Sequence, residues 1–388
     1  MNLHTDILME FIKSAFGTTT LDIEKVKNID NEALYQIYKT SKSHDLVQIL
    51  AAELEKNGLL NNDELGNKFR KQQMIAIFRY EHINYELDRV CNVFQKERIP
   101  FVLLKGAIIR KHYPEPWMRT SCDIDILVHK EDVDNAANIL VKECGYQNNG
   151  KSSHDISLFS PDQKTHVELH YDLVEDGVAN GSSAILRSVW DNGVVCKDGQ
   201  AMYEMTDEMF YFYHIAHMAK HFEVGGCGIK PFIDLWILDN MKDVDLDKRD
   251  HLLRKGDLLK FAEAVRKLSR VWLCGDEHDP VSQQMEDYIL RGGVYGSQEN
   301  RVTVQQQKKG GRLRYALSRI FLPYDVIKFH YPILQKYRFL TPFMEVRRWF
   351  KLVFCGAAKR SFHELNYNRN ISDEIAAKTQ EFLKNIGL

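Results

Sequence analysis

Residues 121–128 read SCDIDILV, and this pair of aspartates inside an aliphatic run decides how the chain is understood. Side chains alternate along a strand, so Asp123 and Asp125 share one face while Ile124 and Ile126 take the other. Two carboxylates this close raise each other's pKa unless a cation sits between them. Either this is an acidic, solvent-facing antiparallel edge, or the acids hold something positive.

The flanking sequence supplies the setting. Upstream, PFVLLKG (100–106) predicts a short buried strand running into a glycine turn, and AIIRKHY continues as a short helix. Downstream, KEDVDNAANILVKECGY predicts an amphipathic helix closed by Gly145. HDISLFSP and KTHVELHYDL follow as two strands joined at Pro161-Asp162. Together they predict a compact α/β unit over 98–173. In THVELHY, His166, Glu168 and His170 point one way while Val167 and Leu169 point the other. If this strand pairs beside DIDILV, Glu168 joins Asp123 and Asp125, and three carboxylates form a hard-oxygen cage suited to Mg²⁺.

The rest of the chain is helical in pattern. Residues 1–97 carry apolar side chains at helical intervals, and TDEMFYFYHIAHMAKHF opens a second helical lobe with Thr206 as its cap. The expected class is α+β: an α/β core with a mixed sheet at 98–200, a helical region at 1–97 before it and a helical lobe at 201–388 after it. The polar, glycine-ended stretch 297–311 reads as a mobile loop. A net charge of −2 argues neither for nor against a nucleic-acid partner, and no nucleic-acid signature is present. Seven scattered cysteines without a CxxC pair argue against a disulfide framework or a zinc ribbon, so reduced thiols and a cytoplasmic protein are expected. No apolar run is long enough to span a membrane, and no membrane partner is expected.

The glycine turn, the DxD strand and the later acid resemble the nucleotidyltransferase superfamily. More closely, LLKGAII (103–109), Arg119 of MRTSCDIDILV, VELHYDL, HMAKHF, GIKPFIDL and FLPYDVIKFHYPIL resemble a bacterial family of uncharacterised nucleotidyltransferases. Two features depart from the superfamily pattern. Ala107 follows Gly106 where a glycine or serine is usual, and the spacer 108–122 is somewhat long. The resemblance implies Mg²⁺-dependent transfer of a nucleoside monophosphate from an NTP, such as ATP, to a hydroxyl of a small molecule, glycan precursor or protein. Asp123, Asp125 and Glu168 would be the catalytic metal ligands, holding two Mg²⁺ ions (or Mn²⁺), with Glu168 also as general base. The other readings are a nucleotide- or RNA-binding module without turnover, and a toxin-type enzyme modifying tRNA or protein.

Around this centre each residue carries two readings. Gly106 and the backbone at Ala107 would approach the phosphates, or form an ordinary strand-to-helix turn. Lys105 is a phosphate contact or a solvated flank, and Arg119 a phosphate fork or a structural salt bridge. His214, His217, Lys220 and His221 share one helical side; they would line the substrate cleft, pack in the core or bind zinc. Lys220 and His221 are the phosphate candidates of that group, with His170 and His217 as substrate-facing candidates. Asp234 would touch a base or ribose, or make an i,i+4 ion pair. Residues 301–351 hold 12 Lys/Arg against two acids, which is a solvated face or an attractor of a polyanionic acceptor.

Overall fold

The computed structural model describes residues 3–175, 181–197, 199, 201–242, 244–294, 296–354 and 373–388. Its centre is a mixed sheet of seven strands in the order β3-β4-β5-β2-β1-β7-β6. These are β1 (Phe101–Leu103), β2 (Asp123–Val128), β3 (Gln147–Lys151), β4 (Asp155–Phe159), β5 (His166–His170), β6 (Val194–Cys196) and β7 (Met202–Met205). Helices precede and follow the sheet, so the α+β expectation holds.

The strand carrying the aspartates is central. β2 pairs antiparallel with β1 and parallel with β5, which puts Asp125 opposite Glu168, Asp123 opposite His166 and Leu127 opposite His170. β4 runs antiparallel to β5 and places Asp155 opposite His170 and Ser157 opposite Glu168. The period of two sorts every side chain in these strands. Ile124, Ile126, Val128, Val167, Leu169, Ile156 and Leu158 line one face, where they pack against the helices Val133–Cys144 and Glu64–Lys96. The other face carries the acids and histidines.

Local signals fix the covering helices. The helix Val133–Cys144 ends with Gly145 in the left-handed region at φ 72°. The 33-residue helix Glu64–Lys96 starts where Asp63 accepts the Gly66 N–H at 2.7 Å. Only glycine fits at position 66, because a Cβ there would lie 1.9 Å from the Asn61 carbonyl oxygen. Along its far end Val90 and Phe94 reach Phe101 of β1 and close the apolar face of the sheet.

A second core runs through both ends of the chain. Leu8, Phe11 and Ile12 of the helix Leu3–Ala15 meet Ile49 and Leu50 of Val47–Lys56, and the same cluster continues through Phe212, Ile215 and Phe222 of Asp207–Phe222. It includes Val102, Leu104 and Leu127 from the sheet and Phe261, Leu268 and Trp272 of Leu259–Cys274. Each fully buried phenylalanine here contributes about 1.5–3 kcal/mol relative to exposure.

One expectation fails. Residues 297–311, read as a mobile loop, hold the helix Gln298–Lys308. Ser297 Oγ accepts the Asn300 N–H at 2.9 Å, Glu299 stands in the first turn, and Gly310 and Gly311 follow the end. Its inward face combines Val302 and Val304 with buried Asn300, Thr303 and Gln306, so polar composition hides the helical period. Cys355 lies outside the described residues; Cys91, Cys122, Cys144, Cys196, Cys227 and Cys274 are free thiols.

Candidate active site

The polar face of β4, β5 and β2 opens into a cleft of about 350 Å³, closed on its far side by the helix Asp207–Phe222. Lys105, Glu168 and His170 line it on the sheet side, and Tyr213, His217 and Lys220 on the helix side. That volume falls within the range of small-molecule sites. Thr206 accepts the Met209 N–H at 3.2 Å and caps the helix, which fixes where Tyr213, His217 and Lys220 project.

Asp125 is the electrostatic centre. Its side chain is 4% exposed, and its Oδ1 accepts from Lys105 Nζ at 2.8 Å and His170 Nε2 at 2.9 Å. His170 Nε2 also lies 3.4 Å from Glu168 Oε2. Burial disfavours the Asp125 charge, but Lys105 and His170 outweigh it and hold the carboxyl well below its usual range. Burial likewise opposes a charged His170, yet its hydrogen bonds to Asp125 and Glu168 lift it to about 9. The His170 hydrogen bond holds Glu168 below its ordinary value. Asp123 moves the other way, raised by burial and by the Asp125 charge. The two aspartates of DIDILV are therefore unequal: one is locked as an anion, the other protonates more readily than a free carboxyl. Lys105 and His170 supply the positive charge that the paired acids require.

Lys105 reaches Asp125 through an unusual backbone, with φ 43° and ψ −117° at the junction of β1 and the one-turn helix Gly106–Ile109. A non-glycine residue in that region is strained, and such strain concentrates at functional sites. Burial opposes its charge, but Tyr213, Asp125 and Asp123 raise its pKa above the ordinary lysine value. Gly106 lies against Arg110, Arg119 and Ser121, whose atoms would stand 3.4–3.5 Å from a Cβ there. The Ala107 N–H donates to the Leu104 carbonyl at 3.2 Å, so the local turn uses it.

Donor chemistry permits a divalent cation. Ligand atoms of Asp125, Glu168 and His170 lie within 4.8 Å of one another, as do those of His154, Asp155 and His170. The first set offers two carboxylates, hard donors that suit Mg²⁺ or Mn²⁺, and one imidazole, a donor more usual for softer divalent ions. Of the expected Asp123, Asp125 and Glu168 set, Asp125 and Glu168 fall in the first group together with His170, and Asp123 lies outside both groups.

The outer candidates separate. Arg119 makes a fork onto Asp234, with Nη2 2.8 Å from Oδ2 and Nε 3.1 Å from both oxygens, and Tyr113 Oη donates to Asp234 Oδ1 at 2.7 Å. Asp234 is buried and Arg119 largely so, and Asp234 is held by an arginine 115 positions upstream and not by an i,i+4 partner. Lys220, half exposed, pairs with Glu175 at 2.8 Å on the cleft rim. His217 faces the cleft with its pKa well below the ordinary value through burial and the Lys105 charge. Burial lowers His221 to about 4, and its ring stands edge-on to His217. His214 Nε2 lies 2.9 Å from the Pro231 carbonyl oxygen, and none of the helix histidines joins a metal-ligating group among the described residues.

Sequence reasoning missed several neighbours. Asp155 and His154 border the cleft side of β4, and the alternation Asp155, Ser157 against Ile156, Leu158 was the signal available. Lys230 is buried and donates to Asp45, to the Thr120 hydroxyl at 2.9 Å and to the Thr120 carbonyl at 2.9 Å. This ties both helical regions to the residues just before β2, and no local pattern announces it.

A family model described as uncharacterised nucleotidyltransferase matches residues 30–274. No curated protein and no solved structure matches the chain.

Proposed function

The chain belongs to the uncharacterised nucleotidyltransferase family, and from that premise we propose that it moves a nucleoside monophosphate from an NTP to an acceptor hydroxyl, the new O–P bond replacing the α–β anhydride bond and pyrophosphate leaving. The observation that supports this reading most directly is the parallel register of β2 and β5, which sets Asp125 beside Glu168 with His170 bonded to both. Asp125 and Glu168 would hold a divalent metal, Mg²⁺ or Mn²⁺, with Asp123 beside them, and His170 would join only on giving up the proton it shares with the two carboxylates. Such an ion, when bound, supplies Lewis-acid stabilisation of the charge that develops during in-line displacement at the α-phosphorus.

The chain's own groups do the rest. Lys105, a cation at the cleft floor, offers its ammonium to the triphosphate, and Lys220 adds a second positive charge on the rim. Glu168 is ionised at neutral pH and stands in the cleft, where it takes the proton of the acceptor hydroxyl. Tyr213 and the neutral His217 face the sheet across the cleft and exclude water from it. The acceptor is a small molecule, glycan precursor or protein that presents a hydroxyl to Glu168.

Calorimetric titration of ATP, GTP, CTP and UTP with Mg²⁺ or Mn²⁺ tests the reading, in wild type and in Asp123→Asn/Asp125→Asn. The expected result is metal-dependent binding of one nucleotide, abolished in the double variant. Binding of none, or binding indifferent to both aspartates, sinks it.

A further inference from the structure

Rows of side chains cross the polar face of the sheet. One runs Ser157, Glu168, Asp125 over β4, β5 and β2, and the row beside it runs Phe159, His166, Asp123. Between them lies a chain of contacts that the chemistry described so far leaves unused. Ser157 Oγ is 2.6 Å from His166 Nε2, and His166 Nδ1 is 3.5 Å from Glu168 Oε1. An ionised Glu168 can only accept, so the proton of the neutral imidazole sits on Nδ1, the side that faces it. Nε2 is then an acceptor, and the Ser157 hydroxyl donates to it. Serine, imidazole and carboxylate in this order form the arrangement that makes a nucleophile of a hydroxyl.

The surroundings hold this chain in place and leave it reachable. The Phe159 ring stacks on His166 with centroids 4.7 Å apart and planes 23° from parallel, which fixes the imidazole plane. His166 is 26% exposed and Glu168 27%, against 4% for Asp125 and 8% for His170, and Ser157 is only partly buried. The two oxygens of Glu168 divide the site. Oε2 faces His170, which bonds Asp125, and Oε1 faces His166. Ser157 therefore stands on the side of Glu168 away from Asp125, one strand spacing or about 4.8 Å across the sheet. Ser152 and Ser160, at the ends of the same strand, lie outside that row and donate to Asp155 at 2.8 Å and Asp162 at 2.6 Å.

We propose that Ser157 is an acceptor hydroxyl for the chain's own nucleotidyl transfer, so that the protein modifies itself; this rests on the transferase reading above. Ser157 Oγ attacks the α-phosphorus of the bound NTP, the α–β anhydride bond breaks, and pyrophosphate leaves. The hydroxyl proton passes to His166 Nε2, and Glu168 stabilises the imidazolium that forms. The product is a phosphodiester that joins the nucleoside monophosphate to β4.

Incubating the full chain with ATP, GTP, CTP or UTP and Mg²⁺ or Mn²⁺, then mapping its peptides by mass spectrometry, tests the proposal. One nucleotide should leave its monophosphate on Ser157. Ser157→Ala should abolish the label, Ser157→Thr should keep it, and His166→Gln should slow it by about tenfold or more. A fluorophosphonate probe needs neither metal nor nucleotide and reads the serine by itself. Ser157 Oγ should displace its fluoride in wild type, again about tenfold or more slowly in His166→Gln. Should Ser157→Ala fail to fold, the position of the label in wild type decides alone. Calorimetric binding of a nucleotide without a label, or a label on Ser152, Ser160 or any other residue, overturns the proposal and leaves the transferase reading standing. A probe reaction as fast in His166→Gln as in wild type overturns it too, since the serine is then not activated. Absence of all nucleotide binding removes the transferase reading, and this proposal with it.

Discussion

Replacing Arg119 by methionine distinguishes an anchor from a phosphate ligand. The guanidinium makes a bidentate contact with Asp234 in a setting where the side chains are 14% and 3% exposed, and Tyr113 is the carboxylate's other side-chain donor. Arg119→Met keeps most of the volume and leaves the Asp234 charge buried with a single neutral hydrogen bond. Removing one partner of such a pair costs about 3–5 kcal/mol. Unfolding entropy of roughly 2.1 cal/mol/K per residue gives about 0.8 kcal/mol/K for this chain, so the melting temperature should fall by about 5 °C. Differential scanning calorimetry reads that directly, and Arg119→Met/Asp234→Leu should recover most of it because no charge is then stranded. If Arg119→Met melts within about 1 °C of wild type and loses nucleotide affinity instead, the fork serves phosphate and the structural reading of this pair is wrong.

Three more outcomes follow from the same geometry. Glu168→Gln should weaken metal-dependent nucleotide binding only modestly, its amide oxygen still facing the metal, while turnover falls by about 10²–10⁴-fold; equal losses in both would make Glu168 a ligand without a base role. His170, lifted from 6.5 to about 9 in the fold, stabilises it fully below its ordinary value and loses that contribution as pH rises through about 9. The melting-temperature gap between wild type and His170→Gln should therefore be widest below about pH 6.5, narrow from there and close in alkaline buffer, and a constant gap refutes the linkage. Gly66→Ala should cost about 1–3 kcal/mol in urea unfolding, since its methyl meets the Asn61 carbonyl; an unchanged midpoint would show that the 61–66 turn relaxes freely.

How far the chain discloses its fold depends on the distance over which each signal acts. DIDILV and HVELH were legible because alternation is a property of neighbours, and the apolar half of each strand fell on the predicted face. The helix Val133–Cys144 was legible for the same reason, with its glycine stop directly after the buried Cys144. β3 was not, because QNNGK has no buried side chain and is a strand only through its pairing with β4. β7 was hidden by its length, and its parallel seat beside β1 comes from residues a hundred positions away. In the site, the carboxylate triplet was readable by type, whereas the approach of His170 to both Asp125 and Glu168 required the register. Arg119 and Asp234 were each singled out, yet nothing local says that one holds the other.

The helix Leu3–Ala15 has a consequence for how the protein is made. Its Leu8, Phe11 and Ile12 are wholly buried, in part against the helix Leu259–Cys274. A ribosome adding about 5–20 residues per second takes roughly 13–50 s to reach from the one helix to the other. Over that interval the apolar surface of this helix is only partly covered, by Asn31–Ser43 and Val47–Lys56. Its burial is therefore completed only once Leu259–Cys274, far along the chain, has been made.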